Sequence, residues 1–308
     1  MIRRDSMRIL LTGGAGFIGS HIADIYVRNG HEVVIIDNLS NGMKANVPDG
    51  VKLIVGDIAD TSLIKSIIKD FKPDIINHQA AQIDVVKSIE DPILDIDINV
   101  KASVNLIKIA KEYGVKRFIF ASSGGAIYGD VPEGIVPDED YLPRPMNPYG
   151  ADKLTVDMYL TFMGLSYVSL RYANIYGPRQ GLGGEAGVIG KFISRAIRGE
   201  PLYIFGDGYQ TRDYTYVGDV ATANLLALDN LPDGIYNVST GQETNLWQIV
   251  DAIRKEIPDI KVEEKEPRPG DVRRSVMSSK KLQRYGWRPM VSLREGIHRT
   301  VQWWSKNA

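Results

Sequence analysis

Cysteine is absent from all 308 residues, which excludes disulfides, thiolate nucleophiles and cysteine-ligated metals. The four histidines, His21, His31, His78 and His298, show no ligand spacing, so no metal site is expected. Charge of one sign is not in excess either. Lys and Arg number 37 against 38 Asp and Glu, a net charge of −1 that gives no broad attraction to nucleic acid or anionic lipid. No apolar run approaches the ~20 residues that cross a bilayer. No signal-peptide hydrophobic region follows Met1–Ser6, because polar punctuation begins at Thr12. Internal repeats and low-complexity tracts are missing as well. These absences lead to the expectation of a cytoplasmic protein without membrane or nucleic-acid partners. With 44% hydrophobic and 24% charged residues, the chain can build one large domain or two smaller ones.

What is present begins at Thr12-Gly13-Gly14-Ala15-Gly16-Phe17-Ile18-Gly19, directly after the apolar run Met7–Leu11. A strand that breaks into glycines and opens an apolar helix makes a site for a dinucleotide pyrophosphate. Gly13 permits the tight turn, Gly16 lets the backbone approach the phosphates, and Gly19 lets the helix pack close to the sheet. The spacing, G-x-x-G-x-x-G, is one residue longer than the commonest fingerprint. A second strand, His31–Ile36, ends in Asp37, about 20 residues beyond the glycines, where an acid accepts from ribose hydroxyls and repels a 2′-phosphate. No Arg follows directly, so NAD is favoured over NADP.

Apolar, β-rich runs at Arg8–Leu11, Glu32–Ile36, Lys52–Val55, Ile75–Asn77, Arg117–Ala121 and Tyr167–Leu170 alternate with helical periodicity. The helices are predicted over Phe17–Asn29, Ser62–Asp70, Ile93–Tyr113 and Pro148–Met163. Short apolar strands separated by helices indicate a parallel sheet covered on both faces, a doubly wound α/β (Rossmann) fold. The dinucleotide-binding domain is placed at residues 7–170, with the chain returning to it around 213–240. After Arg171 glycine and proline become frequent and helices isolated (Val188–Arg198, Asp219–Leu228, Trp247–Glu256). Residues 171–308 therefore read as a smaller mixed α/β substrate domain, with Val262–Asp271 as an exposed loop.

Tyr149 and Lys153, in Tyr149-Gly150-Ala151-Asp152-Lys153, fall on one face of a helix. An ammonium beside a phenol favours the phenolate. By itself the pair is a common helix-surface arrangement. Behind a nucleotide-binding pattern, and 26 residues after Ser123, it points to a site. Ser122 and Ser123 stand at a strand end, where doubly wound folds bind ligands. Ser123 is preferred because it lies closer to the glycines Gly124 and Gly125.

Together these segments resemble an extended short-chain dehydrogenase/reductase, most closely the UDP-glucose 4-epimerases. The likeness covers nearly the whole chain. It rests on Thr12–Ser20, Asp37–Ser40, Gly56–Ile58, His78–Ala81, Asn99-Val100, Ser122–Gly129, Tyr149–Lys153, Arg171–Arg179 and Gly206–Asp219. The resemblance implies that NAD is held by Gly13, Gly16, Phe17, Ile18 and Gly19. Asp37, Asn38, Leu39, Ser40 and Gly42 would hold the adenosine ribose, and Asp57 and Ile58 would flank the adenine. Ala80, Ala81 and Asn99 would line the dinucleotide path, and Lys153 would bond the nicotinamide ribose. Tyr149 would be the base and Ser123 its partner. Asn174, Arg212, Arg268 and Asp271 would hold the nucleotide-sugar, with guanidinium forks suited to diphosphate. The serine loop is one residue longer than the commonest epimerase form, so Ser122 and Ser123 both remain open.

The implied reaction is inversion at C4 of a UDP-hexose through a transient 4-keto sugar. Counting on from Asp271, the residue that gates the sugar pocket falls at Ser275, small enough for N-acetylated UDP-hexosamines. A 4,6-dehydratase would need an Asp-Glu pair where Gly124 and Gly125 stand. A UDP-glucuronate 4-epimerase or decarboxylase would need a cation near C6, for which Lys87, Arg179 and Arg273 are candidates. A non-catalytic NAD sensor is disfavoured because both Tyr149 and Lys153 are kept. The resemblance also suggests a homodimer through helices 93–113 and 148–163, whose apolar residues exceed what one sheet face requires.

Overall fold

The computed structural model describes residues 6–181, 187–267 and 272–307. In the first half the elements are β1 (Arg8–Thr12), α1 (Phe17–Arg28), β2 (Glu32–Asp37), β3 (Lys52–Val55), α2 (Thr61–Phe71), β4 (Ile75–His78), α3 (Val85–Glu90) and α4 (Pro92–Asp95). They continue with α5 (Ala102–Glu112), β5 (Arg117–Ser123), α6 (Gly124–Ile127), α7 (Pro148–Phe162) and β6 (Tyr167–Tyr172). The second half begins with β7 (Asn174–Tyr176), α8 (Val188–Ile197), β8 (Leu202–Phe205), β9 (Thr211–Arg212), β10 (Tyr214–Tyr216), α9 (Val217–Ala227) and β11 (Gly234–Val238). It ends with β12 (Thr244–Asn245), α10 (Leu246–Arg254), β13 (Val262–Lys265), β14 (Arg274–Ser275), α11 (Lys280–Gln283) and α12 (Leu293–Asn307).

Among the described residues, β11, β6, β5, β4, β1, β2 and β3 lie side by side in that order, all parallel. The chain starts in the middle of the sheet at β1, runs outward through β2 and β3, then crosses back to β4 on the other side of β1. That reversal opens a crevice at the carboxyl ends of β1 and β4, the place where such sheets bind ligands. Strand alternation builds two cores. Ile9, Leu11, Ile35, Ile119 and Leu170 face α1 and α9. Leu10, Ile36, Ile76, Phe118 and Phe120 face α2, α5 and α7.

The helix expected over Ile93–Tyr113 is not continuous. It comprises α4, a π-helical turn at Ile96–Lys101, and α5. Asp95 and Asn99 both turn inward to bond Gln82, and the wider turn accommodates their side chains. The Asn99 carbonyl accepts from Ser103 Oγ at 2.6 Å. Such turns concentrate at functional sites. A second difference falls at Val262–Asp271, read as a loop: its first four residues form β13, parallel to β8. The exposed Glu263, Glu264 and Lys265 keep that strand an unattractive edge for other chains.

After β6 the chain builds a separate core from α8, α10, α12 and the strands β8 and β10. It returns to the large sheet twice, as α9 packed on α1 and as β11 beside β6. No helix among the described residues is long and apolar enough to cross a membrane.

The packing of α12 rests on Gly296, where a Cβ would overlap the Tyr176 phenol, its Cζ at 2.7 Å. Tyr176 is fully buried and cannot swing away. Although alanine favours helix by up to ~1 kcal/mol over glycine, Gly296→Ala is expected to destabilise the protein by about 1–3 kcal/mol. Urea unfolding monitored by circular dichroism checks the sign.

Candidate active site

The glycine turn is shaped by sterics that only glycine meets. Gly13 has φ +68° and donates its N–H to Ile36 O at 2.9 Å; a Cβ there would come within 2.7 Å of Ala80 N. A Cβ on Gly19 would run into Gly13 O. Gly16 caps α1 without any side-chain bond, so the amides at Phe17 and Ile18 begin the helix uncapped by a side chain. A backbone cradle of this kind, at a positive helix end, fits an anionic pyrophosphate.

The residues expected around the adenosine gather at the ends of adjacent strands. Asp37 is buried; its Oδ2 accepts from Ala15 N at 3.0 Å and its Oδ1 from Leu39 N at 2.8 Å. This ties the ribose-side loop to the glycine turn. A Cβ on Gly42 would come within 2.7 Å of Asp37 Oδ1, so that loop needs glycine there as well. Asn38 Nδ2 donates to Asp57 Oδ2 at 2.9 Å, and Asn38 Oδ1 accepts from Ser40 N at 3.0 Å. Ile58 is buried in the core beneath. On the other side of β1, Ala80 N donates to Thr12 Oγ1 (3.2 Å), which also meets His78 Nδ1 at 2.7 Å. Ala81 follows. Asn99 holds the next residue, Gln82, by two backbone bonds of 2.8 and 3.0 Å. Acid, glycine cradle and helix end together fit a dinucleotide.

A cavity of about 740 Å³ lies between the large sheet and the second core, lined from both. Ser122, Ser123, Tyr149, Asn174 and Arg212 all border it. Lys153 lies just beneath, 3% exposed, donating from Nζ to Ala121 O at 2.9 Å and standing 5.8 Å from the centre of the Tyr149 ring. Burial pulls the Lys153 ammonium down to about 8, against the pull of the carboxylates Asp157, Asp95 and Asp152. His78, also buried, is pushed down to about 3 by desolvation first and by Lys153 second, and is therefore neutral.

The two serines separate by their bonds. Ser122 Oγ donates to Asp157 Oδ2 at 3.1 Å, within a buried cluster where Asp157 also holds Ser169 and pairs with Arg171 at 2.9 Å. Ser123 Oγ accepts from Ala126 N at 3.3 Å, which leaves its own proton to donate. Of the two, Ser122 is the one tied to a carboxylate.

Asn174 presents a buried Nδ2 with no bonding partner at the cavity wall. Ser275 is buried on β14 opposite Arg212 of β9, and it does not itself border the cavity. Arg268 and Asp271 lie outside the described residues. Lys191, Arg195 and Arg198 of α8 and its C-terminal end also line the cavity, with Tyr203 and Phe205. Sequence reasoning passed over them, although their spacing of four and three residues is a one-face helical signal. Arg195 stacks on Tyr203 at 4.1 Å, and Glu200 partly offsets both arginines.

The cations expected to serve a uronate are placed elsewhere. Arg179 lies 2.8 Å from Asp24, Arg273 makes a two-bond fork with Asp207, and Lys87 is exposed on α3. None borders the cavity. At Gly124 a Cβ would meet the Met277 thioether, so an acid there would have to displace that side chain.

Comparison with known proteins agrees with this geometry. Residues 9–239 match the model of the NAD dependent epimerase/dehydratase family. A putative UDP-glucose 4-epimerase of Methanocaldococcus jannaschii is 44% identical over 306 residues, covering 97% of this chain and 99% of that one. The UDP-glucose 4-epimerase of Thermus thermophilus, solved with NAD, superposes with TM-score 0.94 at 44% identity, over 98% of this chain and 100% of that one. The Thermotoga maritima UDP-glucose 4-epimerase, solved with UDP-glucose, gives TM-score 0.95 at 42% identity, over 98% and 99%.

Gly19→Ala should deform the phosphate cradle without unfolding the sheet. The expected result is an NAD dissociation constant raised at least ~10-fold with unchanged far-UV circular dichroism, read by isothermal titration.

Proposed function

Since the chain belongs to the NAD-dependent epimerase/dehydratase family, we propose that it inverts the C4 hydroxyl of a UDP-hexose, interconverting UDP-glucose and UDP-galactose. The observation that carries this reading is the Tyr149–Lys153–Ser123 arrangement at the floor of a cavity whose other wall is basic. Tyr149 takes the proton from the 4-hydroxyl, helped by the Ser123 hydroxyl, and returns it to the same oxygen once the sugar has turned its other face. The buried Lys153 ammonium favours the phenolate with which the cycle begins. Bound NAD supplies the hydride acceptor and donor that makes the 4-keto sugar transient, so no net oxidation results. Gly13, Gly16, Gly19 and Asp37 would hold it.

Asn174, Arg212 and Arg268 are assigned to the nucleotide diphosphate, and Asp271 to the nucleotide-sugar. Anchoring through the UDP leaves the sugar free to turn its other face to the same groups, which requires a roomy pocket. The orphaned Asn174 amide supports this role, and the α8 cations add positive potential at the mouth.

A homodimer through α4–α5 and α7 is part of this reading. Ile93, Ile96, Met158 and Phe162 leave 44–74% of their surface exposed on the helices that would pair. The cytoplasm is the expected location, because both ligands are charged nucleotides.

Incubation with UDP-glucose, UDP-N-acetylglucosamine and UDP-glucuronate, followed by NMR of the products, tests the assignment; UDP-galactose is expected from the first. Tyr149→Phe should keep NAD and UDP affinity yet lower turnover by roughly 10²–10⁴-fold. Normal turnover in that variant would remove Tyr149 from the mechanism. Ser275→Tyr is expected to depress UDP-N-acetylglucosamine turnover more than that of UDP-glucose; an unchanged ratio would place the gate elsewhere.

A further inference from the structure

Beneath the active-site helix lies a pair of acids that the reaction as described does not use. Asp95, the last residue of α4, is 1% exposed, and Asp152 of α7, next in sequence to Lys153, is 6% exposed. Asp95 Oδ1 accepts from Gln82 Nε2 at 2.7 Å and from Asn99 Nδ2 at 3.0 Å. The remaining oxygen, Oδ2, finds no donor, and neither does Asp152 Oδ2. The helices that carry them, α4 and α7, pack on each other, and the Asp95 carboxyl bears directly on Asp152. Two ionised carboxylates in a desolvated site repel, and neither can donate to the other.

We propose that Asp95 and Asp152 share one proton, and that this acid pair is a positioning element that fastens the helix carrying Tyr149 and Lys153 to the segment along the cofactor path.

Charge balance supports it. Around the pair stand Lys153 on α7, then Asp157, which is paired with Arg171 of β6. His78 of β4 is neutral. Asp84 caps α3 through the amides of Val86 and Lys87, and Asp91 caps α4. Asp97 and Lys101 pair on the exposed side of the π-helical turn, and Lys87 and Glu90 face solvent. Tyr149 stands one turn before Lys153. With one shared proton the acid pair carries −1, which balances Lys153; with none it would leave an uncompensated buried charge. Burial first, and the Asp95 bond and charge second, raise the Asp152 carboxyl to about 7, opposed by Lys153. The mechanical link runs from Asp152 to Asp95, then to Gln82 and Asn99, which hold each other by bonds of 2.8 and 3.0 Å, beside Ala80, Ala81 and the cavity-lining Ile83.

Asp152→Asn tests the proton directly. The amide introduced by that substitution donates a permanent N–H to Asp95 and keeps the pair at −1, whereas Asp152→Ala keeps the charge but removes the donor. A carboxyl raised in the folded state holds its proton where the unfolded chain has lost it. Wild-type stability therefore falls as pH climbs from about 4 to about 7, and the Asn variant lacks that loss. Melting temperatures of the NAD-loaded proteins should show the Asn variant gaining on wild type by roughly 5 °C or more over this window and then running parallel. A constant gap overturns the shared proton. This arm needs no turnover, so it stands even if the epimerase assignment fails. The positioning arm rests on that assignment. Relative to wild type, kcat should hold within about threefold in Asp152→Asn and fall at least ~10-fold in Asp152→Ala, with NAD affinity falling alongside in the latter. Equal kcat in the two variants overturns the positioning role, and if no nucleotide sugar is turned over, the NAD affinities decide it. Should the Ala variant not fold, the melting comparison of the Asn variant with wild type still decides the proton.

Discussion

Lys153 brings an ammonium into a place where almost none of it meets water, and much of the surrounding structure is arranged to tolerate that charge. Desolvation alone would strip its proton; the carboxylates of Asp157, Asp95 and Asp152 hold it in a range where the group stays charged near neutrality. Each carboxylate in turn needs its own compensation. Asp157 receives it from Arg171, Ser169 and Ser122, and Asp95 from Gln82 and Asn99. The charge thus organises side chains from β4 through β6, α4, α7 and the π-helical turn into one buried polar layer. Its solvent-side edge is the floor of the cavity.

The other half of the site is contributed by the smaller core. It presents α8 and β9 across the cavity and holds them by a latch of its own: Asp213, buried, accepts from Thr240 and Gly241, with burial raising its carboxyl to about 6. That latch sets β9, and so Arg212, beside β14 and Ser275. The floor proposed for proton transfer and the basic wall proposed to grip an anion are thereby built by different parts of the chain. The division suits a reaction in which the reacting sugar must turn while its nucleotide stays fixed.

Much of this was legible without coordinates. The six strands of the first half were readable within about two residues because each is a short apolar run between helical periods. The glycine turn was readable because sterics leave no alternative at Gly13 and Gly19. The π-helical turn was not, because its cause is a long-range demand: Asp95 and Asn99 reach for Gln82, which local periodicity cannot register. β13 was missed since an edge strand pairs through its backbone and needs no apolar pattern. The α8 cations carried a usable signal in their spacing, which an arginine-and-lysine surface helix also produces.

Local sequence alone determined the order of strands and helices, the cradle for a pyrophosphate, and the tyrosine–lysine spacing, because backbone sterics and helical period act between neighbours. Tertiary structure alone decided which serine is tied to a carboxylate, which cations border the cavity, and that two acids 57 residues apart share a buried site. Those outcomes depend on desolvation and on partners brought together by packing, and neither quantity exists until the chain has folded.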